Sequence, residues 1–148
     1  DMTIILSGSF DPLHPRHVEY FQVARQCFSG SDHYWMCAVE PDTQLEARKG
    51  RPAFLGAKDR AAVVRGLFSG HVEVATLREV IQRRIDLRED LLIVKGWDWT
   101  ARFTELLELV GSRAPGVSIA LLNLQRQASS TELLRDWHER AKANAFIQ

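Results

Sequence analysis

The feature that most constrains this chain is the stretch Gly8-Ser9-Phe10-Asp11-Pro12-Leu13-His14-Pro15-Arg16-His17. It follows an apolar run at residues 4–6 that predicts a buried strand, and it precedes residues 18–25, whose apolar positions suit one face of a helix. Pro15 fits the first helical position, where its missing N–H costs nothing. His14 then caps the helix, and His17 lies in the same first turn. The pattern predicts a strand, a tight loop and a helix start flanked by two imidazoles.

This loop has the chemistry of a phosphate site. A helix N-terminus offers unpaired N–H groups and the positive end of the helix dipole, and two histidines beside it add hydrogen-bond donors. Gly8 allows close approach of the backbone, and Ser9 and Asp11 are small polar groups at a strand end, where open α/β sheets bind ligands. The alternative is that His14 is only a cap and that His17 is a surface residue.

Apolar runs and amphipathic stretches alternate along the rest of the chain. We expect strands at residues 4–6, 33–39, 71–76, 91–94 and 117–122, and helices from residue 15 and at 56–68, 77–86, 101–110 and 129–145. This alternation predicts the α/β class, with a Rossmann-like doubly wound five-stranded parallel sheet and helices on both faces. The chain has 148 residues, the size of one ordinary domain, and no repeat or long linker divides residues 1–148.

Three local expectations accompany this fold. Residues 40–52 are polar and end in a basic segment with Gly and Pro, which predicts a loop over the sheet edge. Cys27 and Cys37 are expected to be reduced core residues, because no further Cys or His lies at ligand spacing. The apolar face of the helix at 56–68 is expected to include Ala61, Val63, Val64, Leu67 and Phe68.

The charge balance limits the kinds of partner. The chain carries 19 basic and 19 acidic residues and has a formal net charge of zero, so nothing predicts binding to nucleic acid, which calls for a basic surplus. Any positive potential has to be local, as in a phosphate pocket. No run approaches the ~18 apolar residues of a membrane span, and no signal peptide opens the sequence. We therefore expect no membrane partner and a cytoplasmic protein.

The opening stretch resembles a known signature. Gly8-Ser9-Phe10-Asp11-Pro12-Leu13-His14-x-x-His17 is similar to the G-[ST]-F-D-x-x-H-x-G-H motif of the nucleotidyltransferase superfamily, whose members move a nucleoside monophosphate from a nucleoside triphosphate onto a phosphate-bearing acceptor. Arg16 replaces the family's glycine between the histidines and is a candidate for an added phosphate contact. The resemblance implies that His14 and His17 are catalytic. It also implies that the nucleotide is bound by Gly8, Ser9, Phe10 and Asp11.

Two later segments resemble members of the same superfamily. Lys49-Gly50-Arg51-Pro52 is similar to the K-G-x-x-R-P loop of heptose-phosphate adenylyltransferases, which implies that Lys49 is a catalytic residue that neutralises the triphosphate, with Arg51 as a second candidate. Lys95-Gly96-Trp97-Asp98-Trp99 is similar to V-K-G-G-D-Y of those enzymes and to G-D-D-W of glycerol-3-phosphate cytidylyltransferases. The nucleotide-binding residues implied by this second segment are Lys95, Gly96, Asp98 and Trp99. Without the resemblance, the first segment is a solvated loop and the second caps the core.

A third segment near the end of the sequence has two compatible interpretations. Ser129, with Glu132 three residues later, forms a capping box at a helix start. Residues 126–135 also resemble the superfamily's second motif, I-S-[ST]-T-x-[IL]-[RK]. That resemblance implies that Ser130 is catalytic, and that further nucleotide contacts come from Arg126, Ser129 and Thr131.

Together these resemblances imply an activity. AMP or CMP would pass from ATP or CTP to a phosphorylated small molecule, with a sugar or polyol phosphate favoured and pyrophosphate released. A phosphate monoester has a second pKa of about 6 and needs no general base, which suits a site rich in donors. Mg²⁺ is expected to be held mainly by the nucleoside triphosphate. Two alternatives stay open: a mononucleotide or pantetheine-phosphate adenylyltransferase, and a nucleotide-binding protein without transferase activity. We also expect a homodimer.

Overall fold

A computed structural model describes residues 2–29, 32–111 and 116–124. These residues form five strands and five α-helices, with a 3₁₀ segment at Trp97–Arg102. None of the helices in these residues has the length and apolar character that crossing a membrane requires. The helix expected at 129–145 lies outside the described residues. In chain order the elements are β1 Thr3–Gly8, α1 Pro15–Cys27, β2 Tyr34–Val39, α2 Asp42–Lys49, α3 Ala57–Leu67, β3 His71–Val74, α4 Leu77–Asp86, β4 Leu91–Gly96, α5 Phe103–Val110 and β5 Val117–Leu122.

The five strands form one sheet in the order β3-β2-β1-β4-β5, and every neighbouring pair is parallel. The chain therefore builds outward from β1 to β3, crosses back, and builds the other half of the sheet from β4 to β5. This confirms the predicted Rossmann-like doubly wound fold. The expected strands at 4–6, 91–94 and 117–122 lie within β1, β4 and β5.

Helices cover both faces of the sheet. On one face α1 and α3 pack against alternate strand residues, in a cluster that includes Ile4, Leu6, Phe21, Val64 and Leu92. On the other face α4 and α5 pack against the intervening residues, in a cluster that includes Ile5, Met36, Val80, Ile93 and Val110. Successive strand residues point to opposite faces. Strands β1 and β4 are thus buried on both sides, as their unbroken apolar runs predict.

Strands β1 and β4 separate towards their carboxyl ends. Their pairing extends from Thr3 opposite Leu91 only as far as Ile5 opposite Ile93, although both strands continue for three more residues. The Tyr20 hydroxyl fills the gap, because it accepts a hydrogen bond from the Ser7 N–H at 3.2 Å and donates one to the Val94 carbonyl. The sequence predicts only that Tyr20 contributes to the apolar face of α1. In the structure its hydroxyl also satisfies two backbone groups at the point where the strands part.

The prediction of a loop over residues 40–52 is wrong for most of that segment, because residues 42–49 form helix α2. The helix is short and buries a single residue, Leu45, so the sequence shows no apolar periodicity. It ends at Gly50, whose φ of 68° is left-handed, and the Gly50 N–H donates to the Glu46 carbonyl. Glycine suits this position because it has no Cβ to clash.

Three expected core residues are exposed instead. Val63 is 45% exposed, because α3 faces the sheet with residues 57, 60, 61 and 64, a spacing that excludes it. Leu67 is 49% exposed at the end of α3, and the next residue, Phe68, is the one that packs into the core. Cys27 is exposed at the end of α1, whereas Phe28 packs against the core beside it. Cys37 is buried, as expected, and both cysteines are free thiols.

Replacement of Tyr20 by phenylalanine tests the link between β1 and β4. We expect Tyr20→Phe to lower the free energy of unfolding by about 1–3 kcal/mol, since it leaves a buried N–H and a buried carbonyl without a partner. Urea unfolding followed by circular dichroism measures this. Tyr34→Phe is the matched control, because Tyr34 is 47% exposed. Equal effects of the two substitutions would contradict a bridging role for the Tyr20 hydroxyl.

Candidate active site

The loop between β1 and α1 is shaped by packing beneath it. Phe10 is 1% exposed and has a φ of 51°, and its ring lies under Gly8 and against the edge of the His17 ring at 4.9 Å between centroids. A Cβ on Gly8 would lie 3.0 Å from the Phe10 ring, so a larger residue would force the ring to move. Gly8 is therefore required at this position by the packing of Phe10.

The two histidines lie face to face at the start of α1. Their ring centroids are 3.9 Å apart with an angle of 24° between the planes. His14 is the N-cap and Pro15 the first helical residue, as predicted. The backbone N–H of His14 donates to Nδ1 of His17 at 3.1 Å. Since Nδ1 accepts, the neutral His17 ring carries its proton on Nε2, which is a donor for a ligand.

The surroundings keep both imidazoles neutral. Burial, together with the nearby charges of His14, Arg16 and Lys49, lowers the pKa of His17 to about 3. Burial also lowers the pKa of His14 below its ordinary value, and the charge of the Arg16 guanidinium is the second cause. At neutral pH the pair therefore offers N–H donors without a positive charge.

A cavity of about 840 Å³ opens above the carboxyl ends of the strands, where β1 and β4 part. Its volume is within the range of small-molecule sites, and parallel sheets of this type bind ligands at this edge. Helices α1, α2, α4 and α5 and the 3₁₀ segment contribute the walls. The lining residues are Ser7, Gly8, Ser9, His14, Arg16, His17, Tyr20, Ala38, Glu40, Gln44, Ala47, Arg48, Ala75, Leu77, Arg78, Lys95, Gly96, Trp99, Arg102, Glu105, Leu106, Glu108, Leu109 and Leu124.

The structure brings many of the expected site residues together, and others lie outside this lining. Phe10 and Asp11 are buried beneath the loop, and Lys49 is outside the lining but close enough to lower the pKa of His17. The side chain of Asp98 is outside the described part of the structure, as are Arg126, Ser129, Ser130 and Thr131. The expected residues that share the cavity wall are Gly8, Ser9, His14, His17, Lys95, Gly96 and Trp99.

Lys95 and Trp99 form one wall of the cavity. Lys95 is only 6% exposed, and its Nζ lies 4.3 Å from the centroid of the Trp99 ring. The Arg102 guanidinium also contacts that ring, at 3.9 Å, and pairs with Glu105 at 2.9 Å. The indole thus holds two cations at the site through cation–π contacts.

Several lining residues were not expected from the sequence. Glu40, at the end of β2, accepts two hydrogen bonds from the Arg48 guanidinium, at 2.7 and 3.4 Å. Gln44 lies one turn before Arg48 on the same face of α2, and Arg78 enters the cavity from the first turn of α4. The signal for Glu40 is its position directly after a buried strand, which the expected loop at 40–52 obscured.

Comparison with known proteins gives a match over most of the chain. The family model described as cytidylyltransferase-like matches residues 5–136, which confirms the resemblance seen in the opening motif. The bifunctional protein HldE of Histophilus somni (strain 129Pt) is 32% identical over 137 residues, and that of Haemophilus influenzae (strain PittEE) is 31% identical over 136 residues. These alignments cover 89% and 88% of this chain, but only 27% and 26% of the relatives. The chain spans about a quarter of the length of these curated relatives.

Two solved structures share the fold. A lipopolysaccharide core biosynthesis protein from Thermoplasma volcanium GSS1 superimposes with a TM-score of 0.64 and 17% identity, over 84% of this chain and 98% of that one. A protein of unknown function from Archaeoglobus fulgidus gives a TM-score of 0.59 and 21% identity, over 86% and 94%. Both likenesses support the architecture of the sheet.

The protonation of His17 is directly measurable. We expect its Nε2–H tautomer at pH 7 and no protonation between pH 8 and pH 5, because burial and neighbouring cations lower its pKa to about 3. Nitrogen-15 NMR of the imidazole ring reports both the tautomer and the titration. A histidine peptide in the same buffer, with a pKa of about 6.5, is the reference. Protonation of His17 in that range would contradict the neutral donor pair.

Proposed function

Because the chain belongs to the cytidylyltransferase-like family and is by that membership a nucleotidyltransferase domain, we propose that it moves AMP or CMP from ATP or CTP onto a phosphorylated small molecule. An oxygen of the acceptor phosphate attacks the α-phosphorus and forms a new P–O bond. The bond between the α-phosphorus and its bridging oxygen breaks, and pyrophosphate leaves with that electron pair. The acceptor phosphate is largely a dianion at neutral pH, so no general base is required.

The observation that carries this proposal is the neutral, stacked histidine pair at the start of α1. A pKa of about 3 makes His17 unsuited to accept a proton at neutral pH, and the bond to Nδ1 leaves Nε2–H as the donor. His14 and His17 would donate to the phosphate oxygens on which charge grows in the transition state. Donors fixed before the reaction stabilise such charge without reorganisation.

Cations around the histidines support binding of the triphosphate. Arg16 and Lys95 line the same cavity, and the Lys49 ammonium lies near His17. They would neutralise the phosphates and orient the α-phosphorus for in-line attack. From the resemblance of the motifs, the proposal also includes contacts to the nucleotide from Asp98, Arg126, Ser129 and Thr131, and a catalytic role for Ser130.

Mg²⁺ enters the proposal with the substrate. In the described residues no group of three or more His, Cys, Asp or Glu side chains could hold a metal ion. Three carboxylates line the cavity, Glu40, Glu105 and Glu108, and the first two are paired with arginines. This donor set fits a metal held mainly by triphosphate oxygens, where it would neutralise phosphate charge. A cytoplasmic location and a homodimer stay predictions from the sequence.

The side chains of the cavity wall at β2 and α2 favour a polar acceptor molecule. Glu40, Gln44 and Arg48 present both acceptors and donors to the cavity, and Ala47 between them leaves room. Such groups suit the hydroxyls of a sugar or polyol phosphate. We therefore propose that class of acceptor over a mononucleotide or phosphopantetheine.

Substitution of His17 tests the proposed chemistry. We expect His17→Ala to lower kcat by about 10²–10³-fold, the usual effect of losing one donor to a developing oxyanion, with the circular dichroism spectrum unchanged. His71→Ala is the control, because His71 lies at the amino end of β3, the opposite edge of the sheet. Unchanged turnover in His17→Ala would remove the proposed role.

A panel of substrates tests the reaction class and the nucleotide. The triphosphate that is the substrate should raise Tm by roughly 5–10 °C at 100 times its Kd, because it binds only the native state. Pyrophosphate release should then occur with sugar or polyol phosphates. Release with mononucleotides or phosphopantetheine would favour those acceptors, and nucleotide binding with no release for any acceptor would favour a protein without transferase activity.

A further inference from the structure

Asp11 belongs to the opening motif, yet its side chain is directed away from the cavity. Its side chain has no solvent exposure, and it is absent from the cavity lining. One carboxylate oxygen accepts the Leu55 N–H at 3.0 Å. The other accepts the Phe54 N–H at 3.0 Å and Nη1 of Arg51 at 3.3 Å. Both oxygens are therefore engaged within the chain.

These donors fix a segment that has little packing of its own. Phe54 is 67% exposed and Leu55 is 43% exposed. Burial by itself would raise the pKa of Asp11, but the Phe54 and Leu55 amides and then Arg51 outweigh it and hold the pKa below its ordinary value. An ionised, buried carboxylate thus anchors an exposed segment 40 or more residues away in sequence.

Arg60 holds the same segment from the other side. Its side chain is fully buried, and its guanidinium donates to the Ser9 carbonyl at 2.7 Å, to the Leu55 carbonyl at 2.8 Å and to Asp42 at 2.6 Å. Asp42 in turn accepts the Ala57 N–H at 3.2 Å. The loop after β1, the start of α2 and the start of α3 are therefore joined by one network.

The anchored segment begins directly after Lys49, the last residue of α2. Gly50 turns the chain there with a left-handed φ, and Arg51 is already bonded to Asp11. The position of Lys49 relative to His17 is consequently set by the anchor on one side and by α2 on the other. Its ammonium is close enough to His17 to act on that ring electrostatically.

We propose that Asp11 is a positioning residue whose carboxylate, together with Arg60, holds the segment after α2 so that Lys49 is presented to the triphosphate beside His17. This inference rests on the proposed function, and it gives Asp11 a role other than the direct nucleotide contact expected from the sequence. A direct contact would require the carboxylate, which is fully buried outside the cavity lining, to move away from the donors that it holds.

A double-mutant cycle tests the proposal, with inorganic tripolyphosphate as the probe and isothermal titration calorimetry as the readout. We expect Asp11→Asn and Lys49→Met each to weaken binding by about tenfold, the loss of one charge-assisted contact. The double variant should bind no more weakly than Lys49→Met alone, because both changes remove the same contact. Removal of a negative charge near the site would by itself strengthen anion binding. Weaker binding of tripolyphosphate to Asp11→Asn would therefore be opposite to the charge effect and would indicate that Asp11 positions the site.

Asp59→Asn is the matched control. Asp59 is an exposed carboxylate on α3, one residue before Arg60, and its replacement makes the same change in net charge. We expect its affinity for tripolyphosphate to stay within about twofold of the wild type, as is usual for surface substitutions. Additive losses in the double variant, or wild-type affinity in Asp11→Asn, would overturn the proposal.

Hydrogen exchange measured by NMR tests the anchor in the wild type itself, where no variant has to fold. In the wild type without ligand, the Phe54 and Leu55 amides should exchange at least tenfold more slowly than in an unprotected chain, despite their exposed side chains. Exchange should accelerate in Asp11→Asn and not in Asp59→Asn. Unprotected amides in the wild type would overturn the anchor. Protected amides with no tripolyphosphate binding would instead overturn the proposed function and Lys49's role in it, because the anchor does not depend on a ligand.

Discussion

The separation of β1 from β4 beyond Ile5 and Ile93 is the constraint on which the site depends. Two parallel strands that part inside a sheet leave backbone groups without partners, and buried groups of this kind are costly. The Tyr20 hydroxyl removes that cost by joining Ser7 to Val94. The crevice is therefore a stable part of the fold, and α1 supplies both the tyrosine that supports it and the histidines that face it.

The electrostatics of the crevice follow from the same arrangement. The chain has no net charge, so it has no long-range preference for anions. Cations are instead found at the cavity, which Arg16 and Lys95 line together with the histidine pair. Burial is the main cause that lowers the pKa of both imidazoles; the charge of Arg16 contributes to both, and that of Lys49 to the pKa of His17. The cations that would attract a triphosphate thus also keep the histidines neutral, as donors and not as proton acceptors.

Local patterns account for what could be predicted. The unbroken apolar runs of β1 and β4 indicate strands buried on both faces, and Pro15 after His14 marks the start of α1; both are confirmed. Helix α2 was missed because it buries only Leu45, so periodicity has nothing to detect. Val63 was assigned to the apolar face of α3 because a one-residue error in phase rotates a helix by about 100°. In the structure, Arg60 occupies a buried position on that face.

The sequence by itself determined the alternation of strands and helices, the cap at the start of α1, and the motif that places the chain in its family. These depend on residues within a few positions of one another, whose preferences survive in any context. Only the tertiary structure decided what Asp11, Tyr20 and Arg60 do. Their partners lie 43, 74 and 51 residues away, at Phe54, Val94 and Ser9, and no local pattern encodes such pairs. The motif aspartate was expected to contact the nucleotide; in the folded chain its oxygens are held by backbone amides that reach it only when the sheet and α3 assemble.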